Sequence, residues 1–177
     1  MTEPAPPAPA CPRYGAGSLP RYRFVPGRSP HPRDNAAGHA HQSPDPGPLP
    51  LDPARWQHSE AYLHAIDLFN LAYWWECHEV LEVFWRRTDR ASDQGRLLQG
   101  VILLAAANLK RFMGSEPVAQ SLATDGLAKL DGLASPTLGV DLDALRDDTR
   151  AHFAGAREQP ATIRLVGATD QQPGSSD

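Results

Sequence analysis

Apolar residues recur at three- and four-residue steps from about residue 52 onward, and this spacing predicts amphipathic helices. The first run covers 54–69, and Asp52 followed by Pro53 predicts the N-cap of this helix. Asn70 lies where the chain must break and restart, because its side chain is suited to cap the following turn. The second predicted helix therefore covers 72–87.

The third predicted helix, 94–112, is apolar nearly all the way round, which indicates burial against several neighbours. Ser92 is its expected N-cap, and Gly100 inside it predicts the close approach of another helix. Two more helices are predicted at 116–133 and 141–153, and no strand pattern stands out. The expected fold class is all-α: a single compact bundle of four to five helices.

A proline-rich extension precedes this bundle, since 13 of the 18 prolines lie before Leu51. We therefore predict three regions: an N-terminal extension (1–50), a helical domain (51–155) and a loosely attached C-terminal tail (156–177).

The extension itself has two unlike parts. Residues 1–20 are dominated by alanine, proline and glycine, and we expect them to be disordered. Residues 21–42 contain aromatic side chains, a Pro-Gly turn and spaced histidines. A segment of this length has no core of its own, so it is either a disordered tail or ordered by docking on the helices.

Charge and apolar run length exclude two classes of partner. The net charge is −4 and no basic stripe is present, which argues against nucleic acid binding. The longest apolar run, 101–107, is too short to cross a membrane. No signal peptide is visible, and neither Cys11 nor Cys77 is placed for a structural disulfide. The expected location is the cytoplasm.

The candidate chemistry lies in the stretch YWWECHEVLEVFWRR, residues 73–87. At about 100° per residue, one arc of this helix carries two tryptophans and three groups that ionise or bind metals. These residues are Trp75, His78, Glu79, Glu82 and Trp85. Because tryptophan prefers burial, the acidic arc is expected to be partly enclosed. Enclosed carboxylates must be paired, protonated or bound to metal.

The first interpretation of this arc is a divalent metal site. The string HEVLE has the form H-E-x-x-E, a variant of the zinc-protease H-E-x-x-H. His78 and Glu82 would then be ligands, and Glu79 would be the catalytic general base. The third ligand stays open among several polar residues elsewhere in the chain: His31, His39, His64, Asp67 and Gln99.

Two other interpretations involve no metal. In one, a His–Glu pair with shifted pKa values performs acid–base chemistry. In the other, Glu79 and Glu82 accept hydrogen bonds from neighbouring helices and only specify how the helices pack. Glu76 lies on the flank of the arc and is expected to be a solvated charge. Gln99, beside Gly100, is a candidate for a polar contact to the second helix.

The combined pattern resembles the helical family called domain of unknown function three-hundred-and-nine. Members carry an asparagine-ended helix, an aromatic-Glu-Ala-His-Glu-x-x-Glu segment closed by tryptophan, and a Gln-Gly pair that opens a buried helix. The matching positions are Phe69, Asn70, Trp75, Glu76, His78, Glu79, Glu82, Trp85, Gln99 and Gly100. Ala72 stands where the family often has glycine, so a positive φ there would be strained.

The resemblance implies a helical bundle and a metal-dependent hydrolase, with Asn70, Trp75, Glu76, Trp85 and Gln99 supporting the pocket. It brings no substrate and no oligomeric state. The sequence therefore leaves two functions as alternatives. One is an enzyme that uses a divalent metal ion. The other is a non-catalytic module that binds a small molecule or a protein and whose His/Glu cluster is structural.

A last expectation concerns the docked alternative for residues 21–42. Phe24 or Val25 should then pack on the bundle, and His31 or His39 should approach Glu79 or Glu82, because histidines and arginines can offset enclosed carboxylates. The segment would form a lid, and its histidines would be candidates for the missing ligand.

Overall fold

The computed structural model of the chain describes residues 11–42 and 51–168. In these ranges a 3-10 helix precedes five α-helices, and the only β-pairing is two isolated bridges. The 3-10 helix is Pro53–His58, and the α-helices are α1 Glu60–Asn70, α2 Trp74–Trp85, α3 Asp93–Phe112, α4 Glu116–Leu130 and α5 Leu142–Phe153. The predicted all-α bundle is confirmed. Among the described residues, no helix combines the length and apolarity that a membrane span requires.

Helix α3 is central, because it packs against both α2 and α4. Its start follows the prediction: the Ser92 side chain accepts a hydrogen bond from the Gly95 N–H. A Cβ placed on Gly100 would lie 2.8 Å from Leu130 Cγ and 3.3 Å from the Gly126 carbonyl oxygen. The glycine therefore has the packing role that the sequence indicated.

The first helix differs from the prediction, because a single helix over 54–69 does not form. Arg55 is non-helical at φ −134° and ψ 27°, and Ser59 is extended at φ −90° and ψ 92°. The Ser59 side chain accepts a hydrogen bond from the Tyr62 N–H and starts α1 as a new helix. Ser59 is thus a second N-cap, and it divides the run that Asp52 begins.

The turn between α1 and α2 contains the anticipated strain. Ala72 has φ +64°, a region that costs a residue with a Cβ roughly 1–2 kcal/mol. The prediction that Asn70 caps the next turn is wrong, because α2 begins without a side-chain cap. The Asn70 side-chain amide instead pairs with the backbone of Ile163. Asn70 Nδ2 donates to the Ile163 carbonyl oxygen at 2.8 Å, and the Ile163 N–H donates to Asn70 Oδ1 at 2.6 Å.

Residues 156–168 are not the loosely attached tail that the sequence suggested. Ile163 is fully buried, and Leu165 bridges to Val140 beside the start of α5. The Leu165 N–H also donates to the Tyr14 hydroxyl at 3.1 Å. The helical domain therefore extends through this segment, because its alternate apolar side chains complete the core.

Residues 11–20 are likewise ordered, contrary to the disorder expected for 1–20. Tyr14 is buried against the bundle, and the fully buried Asp67 of α1 holds the segment. Its carboxylate accepts hydrogen bonds from Arg13 Nε at 2.9 Å, the Tyr14 N–H at 2.8 Å and the Gly15 N–H at 2.9 Å. The rest of this prediction, residues 1–10, lies outside the described residues, as do 43–50 of the extension.

Candidate metal site on helix α2

Helix α2 brings His78, Glu79 and Glu82 into one cluster. One ligand atom from each residue can be chosen so that all three lie within 4.8 Å of one another. His78 and Glu82 share a helix face because they are four residues apart. Glu79 joins them because its carboxylate lies back toward the imidazole, with Oε1 3.6 Å from His78 Nδ1. We call these three residues the α2 cluster.

The α2 cluster is half-enclosed. The side chains of His78, Glu79 and Glu82 are 32, 34 and 27% exposed, so a solvated ion can reach them. The pKa of Glu79 is lowered, chiefly by the His78 imidazole and further by Arg33 and Arg86, while burial opposes the shift. Glu79 is therefore ionised at neutral pH, as a metal ligand must be.

Two arginines lie beside the carboxylates of the α2 cluster. Arg33 Nε is 4.0 Å from Glu79 Oε2, and Arg86 Nη2 is 3.0 Å from Glu82 Oε1. Both arginine side chains are substantially exposed, so each contact is a screened surface interaction that contributes about 0–1 kcal/mol. The carboxylates are thus partly balanced in charge without being locked in place.

Buried polar atoms without a hydrogen-bond partner concentrate on α2. In the described part of the chain there are five, and three belong to this helix: Glu76 Oε2, His78 Nδ1 and Trp85 Nε1. A buried polar atom left unpaired costs roughly 1–3 kcal/mol, and in native proteins it commonly marks an ion or water site. The unpaired His78 nitrogen is an atom of the α2 cluster itself.

Residues 22–41, which we call the lid segment, pack against one side of α2. Phe24 and Val25 are buried, and the Phe24 ring meets the Trp75 ring edge-on at a centroid distance of 4.9 Å. The Phe24 N–H donates to Glu76 Oε1 at 2.9 Å. The lid segment therefore uses a carboxylate of α2 as its anchor.

The anchor also includes a buried pair between His39 and Glu76, although Glu76 was expected to be a solvated charge. His39 Nε2 lies 3.0 Å from Glu76 Oε1, and the two side chains are only 10 and 6% exposed. Burial raises the pKa of Glu76, although the hydrogen bonds from His39 and Phe24 oppose this rise. Glu76 is not a solvated flank charge, because the lid segment covers it.

The histidines of the lid segment do not join the α2 cluster. His39 is engaged by Glu76, and not by Glu79 or Glu82 as expected. His31 stacks edge-on against Phe24 and Trp75, and its Nδ1 lies 3.1 Å from Asp34 Oδ2. Arg33 of the lid segment does reach the cluster, at Glu79.

The other proposed third ligands also lie elsewhere. Asp67 is occupied by Arg13, and His64 is covered by the residues Gly15 and Gly17. Gln99 is half-buried on α3, and among the described residues no hydrogen bond joins it to the α2 cluster. The third group beside His78 and Glu82 is Glu79, which the protease analogy had assigned a different role.

Sequence reasoning misjudged Glu76 as a solvated charge, and it named Arg33 only together with other basic residues of the extension that could offset the enclosed carboxylates. Glu76 lies two residues before His78, so its side chain points about 160° away from that of His78. A separate segment of the chain is therefore needed to bury it. The aromatic residues near Phe24 were the available hint of that segment. Arg33 is one of several arginines in the extension, and nothing in its neighbourhood distinguishes it.

Comparison with known families agrees with the pattern carried by these helices. A search of curated proteins finds no match to the chain. The family model described as "Domain of unknown function (DUF309)" matches residues 62–122, which run from α1 through α2 and α3 into α4. The match includes the whole α2 cluster, as well as Gln99 and Gly100. Over this segment, the chain is similar to the family described as Domain of unknown function (DUF309).

Proposed function

We propose that the chain binds a divalent transition-metal cation through His78, Glu79 and Glu82. The observation that carries this proposal is the convergence of their ligand atoms within 4.8 Å. The buried Nδ1 of His78, which forms no hydrogen bond, adds support, because an imidazole nitrogen is a common metal ligand.

The donor set favours a particular group of cations. One imidazole nitrogen with two carboxylate oxygens suits zinc and its first-row neighbours, whereas calcium and magnesium prefer oxygen ligands alone. Three protein ligands leave further coordination positions open, as in catalytic zinc sites. When bound, such a cation supplies a Lewis acid and an activated water, which is the chemistry of a hydrolase.

The finer proposal is therefore a metal-dependent hydrolase that acts on a small molecule. Trp75 and the lid segment would shield one side of the reaction site from water. Arg33 and Arg86, beside the two carboxylates, would help to orient a negatively charged substrate. In this arrangement Glu79 is a ligand, because its carboxylate lies beside His78, and the general base would have to be another group.

The arginine contacts favour a second candidate function. If Arg33 and Arg86 are the permanent partners of Glu79 and Glu82, the α2 cluster is a polar network that holds the lid segment and the helix in register. The protein would then be a non-catalytic module that binds a small molecule or another protein.

Calorimetric titration with Zn²⁺ and Mn²⁺ separates these functions. The chelator-treated wild-type chain should bind one cation, and His78→Ala and Glu82→Gln should each weaken binding at least about tenfold, because each removes one of three ligands. His58→Ala is the matched control, since His58 is an exposed histidine outside the α2 cluster and its loss should leave the affinity unchanged.

Absence of cation binding by the wild-type chain, or equal binding by the His78→Ala chain, would contradict the metal site and favour the polar network. Hydrolysis is tested on the same proteins with nitrophenyl ester and phosphate substrates. Activity that requires added cation and is lost with His78→Ala supports the hydrolase, whereas cation binding without turnover supports a non-catalytic metal site.

A further inference from the structure

A second cavity lies away from the α2 cluster, where the start of α2 meets the ends of α3 and α5. It has a volume of about 240 Å³, and segment 158–160 forms one side. Its principal lining residues are Trp74, Asn108, Arg111, Phe112, His152 and Pro160. None of them belongs to the α2 cluster, so the metal proposal leaves this cavity unexplained.

Asn108 is the most informative of these residues. It lies near the end of α3 and is only 5% exposed, yet it lines the cavity. Its side-chain amide forms no hydrogen bond to any residue in the described part of the chain. An amide carries two donors and an acceptor, and in the wall of a cavity these groups can bind a ligand or water. A polar ligand in the cavity would be such a partner.

His152, near the end of α5, provides a second polar group in the lining. Its Nδ1 lies 3.1 Å from the Arg157 carbonyl oxygen, so Nδ1–H donates and Nε2 is left as an acceptor. Burial lowers the pKa of His152, and the neighbouring cations Arg111 and Arg157 lower it further, against the effect of that hydrogen bond. The lowered pKa favours the neutral imidazole, so His152 adds an uncharged polar ring to the lining of the cavity.

The rest of the cavity is aromatic and balanced in charge. The rings of Trp74 and Phe112 lie 6.5 Å apart at an angle of 55°. The Arg111 guanidinium is already engaged, since it donates to the His152 carbonyl at 2.8 Å and lies 3.6 Å from Glu116. Glu158 adds a carboxylate to the lining. Neither charge calls for an ionic ligand.

We propose that this cavity binds an uncharged planar nitrogen heterocycle with an N–H donor and an acceptor adjacent on one edge, the chemistry of a free nucleobase. An asparagine amide matches such an edge with two hydrogen bonds. Aromatic side chains stack on the flat face of a base, a contact that contributes roughly 1–3 kcal/mol. The cavity is smaller than the roughly 300–1,000 Å³ of pockets that take drug-sized ligands, so one or two rings suit it.

The test is a nuclear magnetic resonance titration of the full chain with adenine, cytosine and uracil. At least one base should shift the Asn108 side-chain amide and the Trp74 indole signals saturably. Unsubstituted purine has the flat face but lacks the exocyclic group, so it should bind at least about tenfold more weakly than adenine if adenine binds.

Asn108→Leu should weaken binding of the same base at least about tenfold, because it removes the amide and keeps the volume. Gln120→Leu is the matched control, since it removes an exposed amide on α4. If circular dichroism shows that Asn108→Leu fails to fold, Asn108→Ser serves as the second variant. The proposal is overturned if no base shifts the wild-type signals saturably, if purine binds as well as adenine, or if a folded Asn108 variant keeps full affinity.

Discussion

Acidic residues of the same chemical type have different tasks within a short stretch of this chain. Asp67 and Glu76 are buried, and each accepts backbone N–H groups from the N-terminal extension. Glu79 and Glu82 are half-exposed and share an opening with a histidine. Helical spacing located the second pair, because a helix places neighbouring side chains predictably. It could not identify the first pair, whose partners lie 37 to 54 residues away.

Asp67→Asn should destabilise the chain by about 2–4 kcal/mol. The amide keeps one acceptor oxygen, so it leaves a backbone N–H of Tyr14 or Gly15 unpaired and removes the charge that faces Arg13. Urea unfolding followed by circular dichroism measures the change in the free energy of unfolding. Asp147→Asn is the control, because Asp147 is mostly exposed and pairs with Arg150 on its own helix. A loss as small as that of the control would show that Asp67 does not anchor the segment.

At the scale of elements, the crossing of α3 and α4 depends on two glycines. Gly100 faces Leu130, and Gly126 faces Leu104 at 2.9 Å from the position that a Cβ would take. The absence of side chains at these two positions brings the helix backbones together, and each leucine covers the opposite glycine. Both leucines are fully buried, so neither can swing away.

Gly100→Ala should destabilise the chain by about 1–2 kcal/mol. Alanine is the better helix former by about 1 kcal/mol, but overpacking a fixed core costs typically 1–3 kcal/mol, and the overlap with Leu130 is severe. The exposed position Ser121 provides the control, since Ser121→Ala changes helix propensity without a new contact.

The double variant with Leu130→Ala gives the sharper measurement. The space that Leu130→Ala creates should accommodate the methyl group that Gly100→Ala adds. The double variant should therefore lose less free energy of unfolding than the sum of the two single variants. Strict additivity would mean that Gly100 and Leu130 do not restrict each other.

Elements were predictable where their signals are local. Ser92 and Gly100 stand next to the features that they specify, and α3 and α5 begin and end within a residue or so of the expected positions. The division at Ser59 was missed because Asp52 and Ser59 are both good N-caps, and spacing alone does not rank them. Asn70 was misjudged because its partner, Ile163, lies 93 residues further along the chain.

At the scale of the whole molecule, two segments that read as tails are part of the folded unit. Residues 11–42 and 156–168 pack on the bundle by placing a few apolar side chains, chiefly Phe24, Val25 and Ile163, into it. Composition predicted disorder for the proline-rich part, because a segment without its own core is ordered only by what it docks on. The hydrogen-bond acceptors that hold the docked segments lie on α1 and α2, and no local sequence pattern links these acceptors to their donors.

Phe24→Ala should release the lid segment without unfolding the bundle. The ring is buried against Trp75 and His31, and a loss of about 1.4 kcal/mol of local stability already raises the open fraction tenfold. Trypsin should therefore cut after Arg23 and Arg28 at least about tenfold faster than in the wild type, while circular dichroism stays unchanged. Val118→Ala is the control, since Val118 is an exposed apolar residue on α4. Rapid cutting of the wild-type chain at the same sites would show that the lid segment is not docked.

The hydrogen bond between Tyr14 and Leu165 also has a consequence for synthesis on the ribosome. Its two partners are 151 residues apart, so Tyr14 leaves the exit tunnel long before Leu165 is made. The contacts among α1, α2, α3 and α4 join consecutive helices and can form as the chain emerges. The surface that receives Tyr14 is completed only when the last helix and the segment after it have been translated. A nascent chain would therefore hold a formed bundle with this surface still open, and chaperones would meet it in that state.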